Sequence, residues 1–229
     1  MKTSNSFTLA SYFDKMVYEN PEQVISTFKD EINVFNIGEL NHKATLLAKG
    51  LLYIGIGKGT PVALVLSGTT NCLTFVVALS KIGAILIPLN KEMEIERIML
   101  ILQHTKVNTI GFYADHFLDK FKQIIPDYLN SERGYLNNKT FPLLKNVVSF
   151  GSIKNRGIFT TREIMLLGEH TDDFEIEEIT AQIKPDDVFM QSCNFDNKGK
   201  IIVNTTKQGD VISDNFSFSV LQNYVMNSI

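Results

Sequence analysis

Three stretches of this chain bring glycine and hydroxyls, two of them with a lysine as well, close enough together to cradle a phosphate: GIGKGT at 55–60, SGTTN at 67–71 and QSCNFDNKGK at 191–200. Glycines let backbone N–H groups approach phosphate oxygens closely, hydroxyls donate to them, and an ammonium adds charge. The first stretch fails on order. A Walker-type loop needs Gly, four residues, then Gly-Lys-Ser/Thr, after a strand and at the opening of a helix. GIGKGT reverses Gly and Lys, follows a helical pattern and precedes an apolar run. It reads as a helix stop and a turn whose glycines supply positive φ. The second does follow a strand and open a helix, where free amides can meet an anion. Thr69 or Thr70 would serve equally as an ordinary N-cap, and nothing nearby reads a base or a ribose. Helix opening is the expected role. The third lies between two strand-like runs and ends in Lys198-Gly199.

Other constellations are missing. Cys72 and Cys193 stand far apart without CxxC spacing, so they make neither a disulfide framework nor a zinc site. His42, His104, His116 and His170 are isolated, with no metal-ligand or triad spacing. The acidic run TDDFEIEEITAQIKPDD lacks the alternating oxygens and glycine of a calcium loop and reads as a solvated helix face. No catalytic residue is assigned.

The elements that must position these stretches follow from periodicity. A short helix is expected near 8–19, a helical stretch at 22–26 and a short strand at Val34-Phe35. Asn36 with Glu39 three residues on makes a capping box for a helix in which Leu40, Ala44, Leu47, Leu51 and Ile54 recur at helical spacing, and Gly55 stands at its stop. PVALVL at 61–66 is a continuous apolar run of strand length, suited to a sheet covered on both faces. A helix at 70–82, a strand at 83–89, the amphipathic MEIERIMLILQHT and the strand VNTIGFY come next. Strand-helix-strand-helix-strand of this kind predicts a doubly wound, mostly parallel α/β sheet with flanking helices. A helix at 114–124 precedes a polar surface loop, PDYLNSERGYLNNKTFP. LKNVVSFG is a strand and TTREIMLLGEH a helix capped by Thr160 or Thr161. VFMQSC and KIIVNTT are two strands around the loop NFDNKG, a C-terminal β-hairpin region; KQGD is a second turn. The organisation expected is an α/β body over 1–187 and a hairpin with a terminal segment over 188–229, in one structural unit.

Composition bounds the rest. The chain has 229 residues, 44% hydrophobic and 21% charged, with a net charge of -3. That is ordinary for a globular protein with a sizeable core. The basic residues are scattered, which argues against nucleic acid as a partner. The most apolar run, CLTFVVALSKIGAILIPL, is cut by Lys81, Gly83 and Pro88, too interrupted for a membrane span. The N-terminus lacks the apolar core of a secretory signal, so a cytoplasmic location is expected.

Several of these stretches, in order, resemble the adenylate-forming enzymes, the superfamily of acyl-CoA synthetases, luciferases and peptide-synthetase adenylation domains. FNIGEL is similar to that family's Tyr-x-x-Leu helix opening. GIGKGTPVAL resembles its glycine turn before a strand, and LSKIGAILIPLN its Leu-Lys-x-Gly-Ala-x-x-x-Pro-Leu element. LLKNVVSFGSIKNRGIFTTREIMLLGEH resembles the segment ahead of the family's nucleotide loop, and IKPDDVFMQS the lead-in to it. The likeness runs from residue 8 to about 203.

The resemblance implies the N-terminal subdomain of an acyl-CoA synthetase-like fold and a family chemistry of ATP-dependent acid activation, to acyl-AMP and then acyl-CoA, with ATP, Mg and CoA. The family's phosphate loop, Thr-Ser-Gly-Thr-Thr-Gly-x-Pro-Lys-Gly, follows the strand that ends here at Gln191, so SGTTN is a look-alike in another place. Carried over residue by residue, Gln191 matches the family Gln and Asn197, Lys198 and Gly199 its Pro-Lys-Gly end. Gln191, Ser192, Asn194, Asn197, Lys198 and Gly199 are then the candidates for a degenerate ATP-phosphate loop. About three residues are missing between the ends, the internal glycines are gone, and Phe195 and Asp196 bring bulk and negative charge. A carboxylate beside a triphosphate is repulsive. No cofactor is therefore expected for this chain alone. The family's Tyr-Gly-x-Thr-Glu motif does not occur, and its hinge and mobile C-terminal domain would lie beyond residue 229. The chain is expected to be a truncated relative that is non-catalytic alone, with one half of a split synthetase or a small non-catalytic binding or assembly module as the alternatives, and to meet a second copy or a complementary synthetase fragment.

Overall fold

The computed structural model describes residues 7–24, 36–67, 69–151 and 155–212. Helix α1 (Leu9–Glu19) is capped by Thr8, whose Oγ1 accepts from Ser11 N at 3.1 Å. Helix α2 (Ile37–Tyr53) opens with the expected box: Asn36 Oδ1 accepts from Glu39 N at 2.7 Å, and Asn36 N donates back to the Glu39 carboxylate at 3.2 Å. Strand β1 (Pro61–Val65), helix α3 (Thr70–Ile82) and strand β2 (Ile85–Leu89) follow. Gly83, at φ 66°, closes α3 in the left-handed region, which is why the next strand starts later than its apolar run suggests. Then come α4 (Ile95–His104), β3 (Thr109–Phe112), α5 (Ala114–Ile124) and a 3-10 turn, Pro126–Asn130. After them lie β4 (Asn146–Ser149), the two-residue β5 (Phe159–Thr160), α6 (Thr161–Gly168) and α7 (Asp173–Ala181). The last pair is β6 (Val188–Phe195) and β7 (Ile201–Lys207), before a final 3-10 turn, Gln208–Val211.

The strands form one sheet in the order β5-β4-β3-β1-β2-β6-β7. The neighbours pair parallel except β6 and β7, which are antiparallel. Alternate residues of β1 feed two cores: Val62 and Leu64 meet α1, α2, α3, α6 and α7, whereas Ala63 and Val65 meet α4 and α5. This is a doubly wound α/β sheet covered on both faces, as the uninterrupted apolar runs require. The hairpin belongs to this same sheet.

Helices α2 and α6 cross at their glycines. A Cβ on Gly50 would collide with the Ile164 carbonyl, and one on Gly168 with the Leu46 carbonyl. Two long-range ion pairs fasten the outer helices: Lys49 Nζ meets Asp173 Oδ1 at 2.9 Å, tying α2 to α7, and Lys81 Nζ meets Asp14 Oδ1 at 2.6 Å, tying α3 to α1. Both lysines are buried at their stems while the carboxylates face water. The acidic run is therefore partly a set of anchors rather than only a solvated face.

Other expectations change too. The polar stretch 126–142 is not simply a surface loop, since Tyr128, Leu136 and Phe141 are buried against α5 and β4. Residues 21–24 form a turn and a bridge from Val24 to Asn36 instead of a helix. The strand expected at Val34-Phe35 and the segment after Ile212 lie outside the described residues. No described helix is long and apolar enough to cross a membrane.

The α2–α6 crossing has a direct test. Gly50→Ala should cost about 3 kcal/mol, because the added methyl meets backbone that cannot yield without parting two helices. Urea unfolding would measure it; a loss within that of an exposed-helix substitution would show that the crossing is loose.

Candidate nucleotide-loop site

SGTTN lies where β1 ends and the strand order reverses, with β2 on one side of β1 and β3 on the other. Open α/β sheets take ligands at such a point. Here Ser67, Thr69 and Asn71 are engaged within the chain. Thr69 is the N-cap of α3, its Oγ1 accepting from Cys72 N at 3.2 Å and lying 3.1 Å from Ser67 Oγ. Asn71 Nδ2 donates to the Phe150 carbonyl at 3.0 Å, bridging α3 to the end of β4. GIGKGT is likewise a turn: Gly55 and Gly59 have φ of 83° and 78°, and Gly59 N donates to Gly83 O at 2.8 Å.

The third stretch is a hairpin. β6 and β7 pair from Val188 opposite Lys207 to Phe195 opposite Ile201, with one irregularity between Val188 and Met190. Asn194 and Phe195, expected in the loop, belong to the strand. The turn is only Asp196–Lys200. Successive strand residues point to opposite faces, so Gln191, Cys193 and Phe195 share one face and Ser192 and Asn194 the other. On the first face Cys193, Phe195, Ile201 and Val203 pack toward α4, and the Arg97 guanidinium sits 5.2 Å from the Phe195 ring centroid. On the second, Ser192 stands opposite Asn204 and the exposed Asn194 opposite Ile202. Gln191 lies ~13 Å along the strand from Phe195. The six candidate residues therefore do not converge. Asn197, Lys198 and Gly199 sit exposed in the turn, Gly199 at φ 76°, while Gln191, Ser192 and Asn194 are spread over two faces of β6.

Asp196 holds the turn. Its Oδ1 accepts from both Lys198 N and Lys200 N, each at 2.8 Å. Its carbonyl accepts from Gly199 N at 2.9 Å, and its own N–H donates to Lys200 O at 3.0 Å. Asp at the first position of a turn with glycine at the fourth is a recognised turn pattern; Asp196-Asn-Lys-Gly199 carried that signal, and a reading of Asp196 as misplaced charge overlooks it. β2 shapes the same region. It pairs with β6 at Leu86 opposite Met190. In that register Ser192 falls beside Pro88, which has no N–H to extend the ladder.

The family's ATP can be tested against these residues. A triphosphate needs several free amides pointing outward at one place. Here three consecutive amides, Lys198 to Lys200, are spent on Asp196. The residues present do not fit a triphosphate. Among the described residues no three His, Cys, Asp or Glu side chains gather to hold a metal ion.

A profile of the AMP-binding enzyme family matches residues 13–148, more than half of the chain. The chain belongs to that family. The matched segment holds β1 to β3 and nearly all of β4, and stops short of Gln191. YngI of Bacillus subtilis (strain 168), a protein named among the acyl-CoA synthetases, is 22% identical over 185 residues, covering 79% of this chain and 34% of its own length. Tyrocidine synthase 2 of Brevibacillus parabrevis is 30% identical over 100 residues, 44% of this chain and 3% of that one. The chain thus spans about a third of YngI. Among solved structures, the anthranilate CoA ligase AuaEII superposes with a TM-score of 0.72 at 14% identity, over 90% of this chain and 36% of that one. The long-chain-fatty-acid-CoA ligase FadD1 from Archaeoglobus fulgidus gives 0.67 at 17% identity, over 89% and 37%. At such identities the superpositions show the fold: the N-terminal part of an acyl-CoA synthetase-like structure.

Neither cysteine is placed to act as a nucleophile. Burial pushes the Cys72 thiol up to about 11, against an opposing pull from its hydrogen bonds to Ser67. Burial raises Cys193 as well. The unfolded chain loses the Cys72 proton first, so this term favours the native state below the ordinary thiol value of 9.0 and is lost as pH climbs to about 11. Relative to Cys72→Ala, the wild type should lose stability over that window by up to ~1.4 kcal/mol per pH unit. Urea unfolding of the two proteins from pH 8 to 11 measures this; a stability difference that stays constant across that window would refute it.

Proposed function

We propose that this chain is the N-terminal part of an acid-activating, AMP-forming synthetase fold that does not turn over by itself. The family chemistry it derives from is activation of a fatty or related carboxylic acid with ATP, to acyl-AMP and then an acyl-CoA thioester. One observation carries this reading: between Phe195 and Ile201 only five residues remain, and they close a hairpin instead of opening a phosphate cradle. Phosphoryl chemistry depends on preorganised donors aimed at developing charge. With Lys198 to Lys200 N–H groups turned onto Asp196, the turn holds no such set.

The role that remains is assembly. Among the described residues β7 is the outermost strand on its side of the sheet, with Ile202 exposed. An outermost strand is where a sheet can take on another chain. The partner is a complementary synthetase fragment or a second copy of the chain.

Purified protein incubated with a fatty acid, ATP, Mg and CoA should release no pyrophosphate and form no acyl-CoA by mass spectrometry; acyl-CoA above the enzyme-free control would end this reading. Light scattering at rising concentration, alone and with a separately expressed C-terminal synthetase segment, should show association in one of the two arms. A monomer in both would remove the assembly role.

A further inference from the structure

We infer that Asp196 is the resident anion of this turn: its carboxylate occupies, from within the chain, the place where the loop amides would otherwise face a phosphate, and the family's nucleotide loop has become a clasp for the sheet edge. The inference deepens the proposed function, resting on the same identification of the loop, but it concerns what the loop does rather than whether the chain turns over.

The geometry is specific. Two amides, Lys198 N and Lys200 N, converge on a single oxygen, Asp196 Oδ1, at 2.8 Å each. Convergence of successive N–H groups on one negatively charged atom is how backbone nests hold anions. Hydrogen bonds to a charged acceptor are about twice as strong as neutral ones. The intervening amide, Gly199 N, is taken by the Asp196 carbonyl, and the pair from Asp196 N to Lys200 O closes the ring. Gly199 makes this possible, since φ 76° carries the chain back toward β7 without a Cβ to strain it. An incoming phosphate would have to expel a carboxylate tethered two bonds from its own backbone, and would meet that charge at contact distance.

The clasp also explains what stabilises the edge. Among the described strands β7 joins the sheet through β6. Its far end is tied down by Lys207 Nζ to Asp186 Oδ1 at 2.8 Å and by Gln208 N to Asp187 O at 2.9 Å. Asp196 is the corresponding fastening at the turn. A loop that releases and grips a nucleotide needs free amides; a loop that keeps an edge strand in register needs them satisfied.

Amide hydrogen exchange by NMR tests this directly. In Asp196→Ala the Lys198 and Lys200 amides should exchange about tenfold faster or more, while amides of α3 and β1 keep their rates. Asp196→Asn, which retains an acceptor oxygen, should restore most of the protection. Unchanged exchange at Lys198 and Lys200 in Asp196→Ala, in a protein whose core amides remain protected, would overturn the clasp. So would saturable shifts of the Lys198–Lys200 amides when the wild type is titrated with pyrophosphate or with ATP and magnesium; no shift at millimolar ligand is expected. Because exchange is read without substrates, it can fail while the turnover assay stays silent, and acyl-CoA formation can appear with the clasp intact.

Discussion

The antiparallel register of β6 and β7 governs the hairpin end of this sheet. Pairing persists up to Phe195 opposite Ile201, and from there the chain must reverse within five residues. In this turn the polar groups satisfy one another. Asp196 supplies the acceptor and Gly199 the backbone freedom. Each residue placed in β6 is one withdrawn from a loop, and each turn amide that Asp196 takes is one withdrawn from any external anion.

The body of the sheet is held by contacts of its own. β1, β2 and β3 are held from both faces by two apolar cores, and the Gly50–Gly168 crossing and the Lys49 and Lys81 anchors fix the outer helices. None of that depends on the hairpin turn. The self-satisfied turn sits at the tip of the hairpin, away from these anchors. The family match lies within this body, over residues 13–148.

Pro88 and Asp196 act together on β6. Beside Pro88 the β2–β6 ladder has no donor to continue it, so the far half of β6 is left to its partner β7 and to the contact of Phe195 with Arg97. A strand with that little support on one side benefits from a tight, hydrogen-bonded turn at its tip. The surface ion pair from Lys207 to Asp186 adds modestly, as exposed pairs do.

The alternation of strands and helices, the Asn36–Glu39 and Thr160 caps, the two glycine turns and the apolar strands were all legible in the residues, because each depends on neighbours a few positions apart in the chain. So was the adenylate-forming relationship, carried by ordered local motifs. What lay beyond local reading has a common physical cause in long sequence separation. Tyr128, Leu136 and Phe141 sit in a stretch that is polar on average, and only the packed core decides that those three turn inward. Gly50 and Gly168 look like ordinary helix residues until α2 and α6 are laid across each other. Asp173 reads as one of several surface acids until Lys49 arrives from α2. At the hairpin, the residues alone determined that the stretch between the two strand-like runs is short and carries a carboxylate. Tertiary structure decided that β6 runs on to Phe195 and that the carboxylate faces inward to Lys198 and Lys200, because strand register is set by pairing across the sheet and not by the order of residues within the turn.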